Sequence, residues 1–224
     1  MKKRTFKIIV LMISVGFFAG GSYGWFRYAL ASIANHASPK YVRVEKGDTL
    51  KSVLQNLEKQ GVIRSAFACG LYARFTGESS NMRSGTYQIA ASYSGRKIVD
   101  ILLSGEPIKR DVLIREGLWM ERTADVLEKN EVATKEEALE IFQNTNFATE
   151  ILGFKIPAET LEGYLFPDTY DMPPLLGAKR ATEKMLTTFR TKVYEKLDKP
   201  SPEEMHKLLI IASMIELEAI LDEE

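Results

Sequence analysis

The sequence predicts an α+β fold in three parts: a single N-terminal transmembrane helix, a small β-α-α-β-α module and the start of a mixed α/β domain. Three observations favour it. An uncharged run of about 19 residues lies near the N-terminus, strand-like and helical spacings alternate after it, and the chain closes on a long apolar helix. Hydrophobic residues make up 45% and charged residues 27% of the chain, which are values of a globular protein rather than a disordered one.

The first element is the predicted transmembrane helix, residues 8–26. At about 1.5 Å per residue it spans about 28 Å, close to the hydrocarbon thickness of a bilayer. The basic residues of segment 1–7 predict a cytoplasmic tail, with the body of the chain facing outward after a linker at 27–40. A cleaved signal peptide, with a possible cleavage site at Ala29-Leu30-Ala31, is the alternative. We favour the anchor because signal-peptide apolar regions usually run only about 7–15 residues.

Charge and cysteine content narrow the classes of partner. The first 40 residues hold six basic and no acidic residues, whereas the remaining 184 hold 24 basic and 30 acidic ones. A net-acidic body argues against nucleic acid as a partner, because phosphate neutralisation needs a basic surface. Cys69 is the only cysteine and is predicted to be a small core residue. With His36 and His206 as the only histidines, no metal site is predicted.

Residues 41–105 read as the β-α-α-β-α module. Alternating residues predict strands at Tyr41–Val44 and Ser84–Ile89. Helices are expected after Asp48, Ser65 and Ser94, each of which suits the position that caps a helix N-terminus.

Residues 106–224 read as the start of the mixed domain. A strand is predicted at Ile108–Ile114, with helices at Met120–Lys129, after the Thr134–Glu137 capping box, near Gly177–Leu197 and from Pro202 onward. The aromatic and proline-punctuated segment Ile156–Pro174 is predicted to be a shaped loop.

Two glutamates stand in the last helix. From Leu208 to Leu217 this helix is apolar around its circumference, which predicts burial on all sides. Glu216 and Glu218 are separated by about 200° of rotation, so they do not form a carboxylate pair in one site. A buried glutamate has a raised pKa, as a general acid needs. From the residues alone, pairing with Lys or Arg, or exposure near the helix end, is the other interpretation.

Several segments together resemble a known family. They are the basic N-terminus with its apolar run, "VEKGDTL", "SGTYQI", "LIREGLWMERTADVL", "LEGYLFPDTY" and "IIASMIELEA". In this order they resemble the MltG-like (YceG-like) endolytic murein transglycosylases over nearly the whole chain. The resemblance implies a LysM-like module at 41–105, followed at 106–224 by the N-terminal part of the catalytic domain. Family members continue for roughly a hundred residues or more past the motif, so the chain is expected to be C-terminally truncated.

The resemblance implies Glu218 as the catalytic residue and requires no metal or cofactor. A lytic transglycosylase lets the 6-hydroxyl of muramic acid attack, so one glutamate can serve as acid and then as base. Hydrolysing glycosidases normally use two carboxylates. The loop residues Glu162, Tyr164, Phe166 and Asp168 are predicted to line the glycan cleft. A packed, proline-braced loop without a binding role is the alternative for them.

The implied function is an endolytic transglycosylase anchored in the cytoplasmic membrane. It would cleave the MurNAc–GlcNAc bond of nascent peptidoglycan strands to give 1,6-anhydroMurNAc ends. The expected partners are glycan strands and the membrane, with cell-wall synthesis proteins as candidates. The alternative is a truncated, inactive membrane protein that binds peptidoglycan or partner proteins without cutting.

Overall fold

The polypeptide is described over residues 2–76 and 82–221 of a computed structural model, with side chains described from residue 12 to residue 218 within these ranges. It divides into two units, Met1–Pro107 and Ile108–Glu224. Each unit contains one antiparallel strand pair and several helices, so the predicted α+β class is confirmed. The first residue of the predicted tail and the last three residues of the predicted catalytic part lie outside the described residues.

The first helix, α1 (Lys2–Ala29), contains the segment predicted to cross a membrane. In the described part of the chain, no helix combines the length and the apolarity needed for a membrane span. The predicted transmembrane helix at 8–26 is therefore wrong. The helix is long enough, but from Met12 onward four glycines and the hydroxyl groups of Ser14, Ser22 and Tyr23 dilute its aliphatic side chains.

The first unit follows the predicted β-α-α-β-α order. After α1 its elements are β1 (Lys40–Val44), α2 (Leu50–Lys59), α3 (Ala66–Thr76), β2 (Gly85–Ile89) and α4 (Gly95–Ser104). The two strands pair antiparallel, with Val42 opposite Tyr87. Apolar side chains of α2, α3 and α4 pack with the strands into one core that includes Leu54, Leu57 and Leu102.

Local hydrogen bonds explain where the helices of this unit begin. Ser94 caps α4, as predicted, by accepting from the Lys97 N–H. The cap of α2 is Thr49, which forms a capping box with Ser52. Asp48, the predicted cap, instead accepts from the Glu45 N–H and closes the preceding turn.

The end of α1 and the residues after it pack into this unit. Ala29 and Leu30 are buried in its core, and the Leu30 carbonyl accepts from the Gly95 N–H at 2.8 Å. The Ala91 carbonyl accepts from the Ile33 N–H, and the Arg64 guanidinium donates to the Ser32 carbonyl. Residues 29–34 of the predicted linker are thus held by the core and by hydrogen bonds.

Cys69 lies in the core, as predicted, with a relative exposure of 0%. Burial, with a smaller contribution from the Glu58 charge, raises the pKa of its thiol to about 11. The thiolate is the form that reacts with Ellman's reagent, and the raised pKa lowers the fraction of thiolate at pH 8 by about a hundredfold. We therefore expect native Cys69 to react at least about a hundredfold more slowly than Cys69 in denaturant. Equal rates in both conditions would show that the core around Cys69 opens freely.

The second unit contains the remaining elements. They are β3 (Asp111–Ile114), α5 (Met120–Lys129), α6 (Lys135–Phe142), α7 (Thr145–Leu152), β4 (Asp168–Asp171), α8 (Ala178–Phe189), a π-helical turn (Arg190–Tyr194) and α9 (Pro202–Leu221). The strands β3 and β4 pair antiparallel, with Val112 opposite Tyr170. One core cluster gathers around Leu127 and Phe142, and another gathers around Tyr164 and Phe189.

Candidate active site

The first turn of α9, the helix that carries Glu218, is well anchored. Ser201 and Glu204 form the predicted reciprocal cap: the Ser201 N–H donates to the Glu204 carboxylate, and Ser201 Oγ accepts from the Glu204 N–H. Met205 is buried at 1% relative exposure. The beginning of the helix is therefore anchored to the core of its unit through Met205.

Beyond Leu209, α9 is largely uncovered by the described residues. Relative exposures rise from 44% at Leu208 to 67% at Leu217. The prediction of a helix buried on all sides is thus wrong, because a helix is buried only where other elements pack around it. Glu216 is partly buried and Glu218 is exposed. Neither carboxylate has an ion-pair partner among the described residues.

The segment 160–168, which we call the site loop, contains the other four predicted site residues. Glu162 Oε2 accepts from the Met120 N–H at 2.8 Å. Met120 is the first residue of α5, and the preceding Trp119 makes no side-chain cap there. A negative carboxylate at a helix N-terminus satisfies a free N–H and interacts favourably with the helix dipole. Glu162 is thus the cap of α5, supplied from a distant loop.

Tyr164 is the buried centre of the site loop. Its ring lies 5.3 Å from that of Phe189 in an edge-to-face arrangement. Its hydroxyl forms a hydrogen bond of 3.3 Å with His206 Nδ1 in the second turn of α9. Burial raises the pKa of Tyr164 to about 12, so the phenol stays neutral at physiological pH. These contacts place Tyr164 between the site loop and α9.

Phe166 and Asp168 lie at the half-buried end of the site loop. Lys192, in the π-helical turn, forms an ion pair with Asp168, and its ammonium lies 5.5 Å from the Phe166 ring centroid. The Phe166 carbonyl accepts from the Tyr170 hydroxyl at 2.7 Å. The site loop is therefore braced at both ends.

The four predicted residues share the site loop but contact different elements of the second unit, and Glu218 lies apart from them. The site loop contacts α9 near its beginning, where a side-chain carbon at Gly163 would lie 3.7 Å from Leu209 Cδ1. Glu218 follows Leu209 by nine residues, which is about 13 Å along a helix. The described residues thus show a scaffold for the start of α9 and no enclosed cleft around Glu218. They also contain no group of three or more potential metal ligands.

Sequence reasoning missed three residues of this scaffold: Trp119, Lys192 and His206. Trp119 lies in the motif "LIREGLWMERTADVL", directly before the predicted helix start at Met120, and this position could have identified it. Lys192 and His206 carried no signal, because their contacts depend on which face of a helix meets the site loop.

The Asp168–Lys192 ion pair gives a pH-dependent prediction. The hydrogen bond from Lys192, together with the Thr169 N–H, holds the pKa of Asp168 below its ordinary value. A lowered pKa in the folded state means that the pair stabilises the fold above the ordinary aspartate pKa, and that this contribution is lost as the pH falls through the lowered value. We expect Lys192→Gln to raise the pKa of Asp168, measured by carboxyl-carbon NMR. Added salt should shrink the difference between the proteins. Identical titrations in low salt would contradict the pairing.

The described residues thus form two small α+β units, each with one antiparallel strand pair, and the apolar helix α9 carries Glu216 and Glu218 in the second unit. The chain belongs to the YceG-like family, which matches residues 42–224. This match confirms the family predicted from the motifs.

Similar proteins carry a more specific name. An endolytic murein transglycosylase of Streptococcus pneumoniae R6 is 24% identical over 246 aligned positions, which cover 97% of this chain and 44% of the relative. An endolytic murein transglycosylase of Bacillus subtilis 168 is 24% identical over 193 positions, covering 80% of this chain and 53% of the relative. The chain thus spans about half the length of these relatives. A crystal structure of a YceG-like protein from Listeria monocytogenes aligns with 19% identity and a TM-score of 0.34, covering 73% of this chain and 57% of that one.

Proposed function

We propose that this chain acts in endolytic murein transglycosylation, cleaving the bond between MurNAc and GlcNAc within peptidoglycan strands. The observation that carries the proposal is the family match over residues 42–224, which includes α9 and Glu218. The names of the pneumococcal and Bacillus relatives support murein as the substrate. Because murein lies outside the cytoplasmic membrane, we place the action of the chain there.

The proposed mechanism uses one carboxylate. Glu218 in its acid form donates a proton to the glycosidic oxygen, and the bond between this oxygen and C1 of MurNAc breaks. The carboxylate then accepts the proton of the MurNAc 6-hydroxyl as O6 bonds to C1. The products are a 1,6-anhydroMurNAc end and a free GlcNAc 4-hydroxyl, with no water consumed. The geometry of α9 suits this scheme, because Glu216 and Glu218 point about 200° apart and do not act as a pair.

The remaining predicted residues take supporting roles in the proposal. Glu162, Tyr164, Phe166 and Asp168 shape the glycan-binding side of the second unit, and the braced site loop supports this role. The β-α-α-β-α module of the first unit is proposed to be LysM-like and to hold the strand being cut. Turn and cap chemistry also accounts for its Gly47–Thr49 segment, so binding to this module needs its own measurement.

The second candidate function is binding of glycan without cleavage. The exposure of α9 around Glu218 favours it, because a general acid that works near neutral pH is usually desolvated. In that case the chain would retain murein strands and leave them intact.

One experiment separates these functions. The full 224-residue chain is incubated with purified uncross-linked glycan strands, and the products are analysed by mass spectrometry. The proposal predicts new ends that are lighter than reducing MurNAc ends by one water. Ordinary reducing ends would indicate hydrolysis and contradict the one-carboxylate scheme. Intact strands that sediment with the protein would favour the binding function.

A further inference from the structure

The start of α5 departs from the usual chemistry of helix ends. Position 119 is the N-cap of α5, where Ser, Thr, Asp or Asn normally supplies a hydrogen bond. Here it is Trp119, which supplies none. Glu162, 42 residues beyond Met120, instead accepts from the Met120 N–H, which is the first N–H of the helix. The fold thus retains the cap while leaving position 119 free for another residue type.

The side chain at that position points into solvent. Trp119 is 62% exposed, although its neighbour Met120 is buried at 8%. Among the described residues it makes no ring contact and its indole N–H has no acceptor, whereas Trp25 in the first unit lies 6.4 Å from Phe67. Trp119 is a large aromatic residue outside the core, and it occupies an N-cap position where a polar residue is usual. Such a residue is a candidate for ligand binding.

We propose that Trp119 and Glu162 form a saccharide subsite, in which the indole face stacks on the apolar face of a GlcNAc or MurNAc ring. Glu162 uses Oε2 for the cap, and Oε1 has no hydrogen-bond partner among the described residues. This oxygen is available to accept from a sugar hydroxyl or acetamido N–H. The cap holds the Glu162 carboxylate at the Met120 N–H, which belongs to the residue directly after Trp119. The assignment rests on the proposed function for its substrate class.

The two tryptophans of the chain allow a direct test. Glu218→Gln serves as the background, so that the proposed chemistry does not consume the ligand. In this background Trp25→Phe leaves Trp119 as the only tryptophan, and Trp119→Phe leaves Trp25 as the matched control. Each full-length variant is titrated with a soluble tetrasaccharide of alternating GlcNAc and MurNAc while tryptophan emission is recorded.

The subsite predicts a saturable emission change in the Trp25→Phe variant and none in the Trp119→Phe variant. By isothermal titration calorimetry, Trp119→Ala should weaken tetrasaccharide binding by roughly tenfold or more, the usual loss when a tryptophan at the centre of a binding surface is truncated. Glu162→Gln keeps an acceptor for the cap but loses the charge, and should weaken binding less. Circular dichroism checks that each variant folds.

Three results would overturn the subsite. In the first, the Trp119→Ala variant binds the tetrasaccharide as tightly as the background protein. In the second, the emission changes only in the Trp119→Phe variant, whose one tryptophan is Trp25. In the third, no variant binds the tetrasaccharide. The product assay with wild-type Glu218 stays separate from this titration. Anhydro products together with unchanged binding by the Trp119→Ala variant would leave the proposed function standing and reject the subsite alone.

Discussion

Replacement of Glu218 by glutamine is expected to lower the rate of glycan cleavage by about 10²–10⁴-fold, the usual contribution of a general acid or base. Glutamine preserves the shape of the side chain but neither donates a proton to the leaving oxygen nor accepts one from the 6-hydroxyl. The measurement is the initial rate of anhydro-end formation at saturating glycan. Since the tetrasaccharide binds before any proton moves, its affinity should change little.

Glu216→Gln is the matched control, because it makes the same chemical change on the opposite side of the same helix. It should retain most of the cleavage activity. If Glu216→Gln loses cleavage activity and Glu218→Gln keeps it, Glu216 rather than Glu218 is the general acid and base. If neither variant loses activity, the acid lies outside α9.

Truncation of Tyr164 to alanine should have the largest effect on stability. The phenol ring is fully buried between Phe189 and His206, so its removal should cost about 3–5 kcal/mol of unfolding free energy, as for other buried aromatic residues. The lower unfolding free energy should appear in a urea denaturation that is monitored by hydrogen exchange of residues 108–221. Cys69 should stay protected from Ellman's reagent, because the core of the first unit contains none of these residues.

Tyr164→Phe separates packing from hydrogen bonding. It keeps the ring and removes the hydroxyl that contacts His206, so we expect a cost of only about 1 kcal/mol. Equal losses in the Phe and Ala variants would mean that the hydrogen bond, rather than ring burial, holds the site loop to α9.

Helix starts were the most predictable part of the fold, because their signals are local. Thr134 with Glu137 and Ser201 with Glu204 form the capping boxes that their spacing predicts, and α5 spans Met120–Lys129 as expected. Such pairs lie within one helical turn, so no knowledge of the tertiary fold is needed to recognise them.

Features that depend on distant partners were not predictable. The strand β4 is four residues of mainly polar sequence inside the predicted loop, and it exists because β3 pairs with it. The helix predicted at Gly177–Leu197 ends as α8 at Phe189 and continues as a π-helical turn, where Lys192 reaches Asp168. The burial predicted for α9 failed for the same reason, because apolar residues identify a surface that can be covered but not what covers it.

In the candidate site, too, local sequence features were predictable and contacts with distant residues were not. Aromatic and proline content located the site loop, and the structure shows that its members are also structural: Glu162 caps a helix, Tyr164 fills a core and Asp168 pairs with Lys192. Their predicted contact with glycan stays a prediction, as does the role of Glu218. A cap that spans 42 positions leaves no periodic pattern in a sequence.

The attachment of α1 to the first unit has a mechanical consequence. Ala29 and Leu30 are embedded in the core, and Arg64 holds the next turn through the Ser32 carbonyl, so α1 leaves the module in one fixed direction. A helix of 28 residues is about 42 Å long, and a tilt of about 10° at its base displaces its far end by about 7 Å. We therefore expect a small change of angle at this attachment to be amplified along α1 towards its N-terminal end.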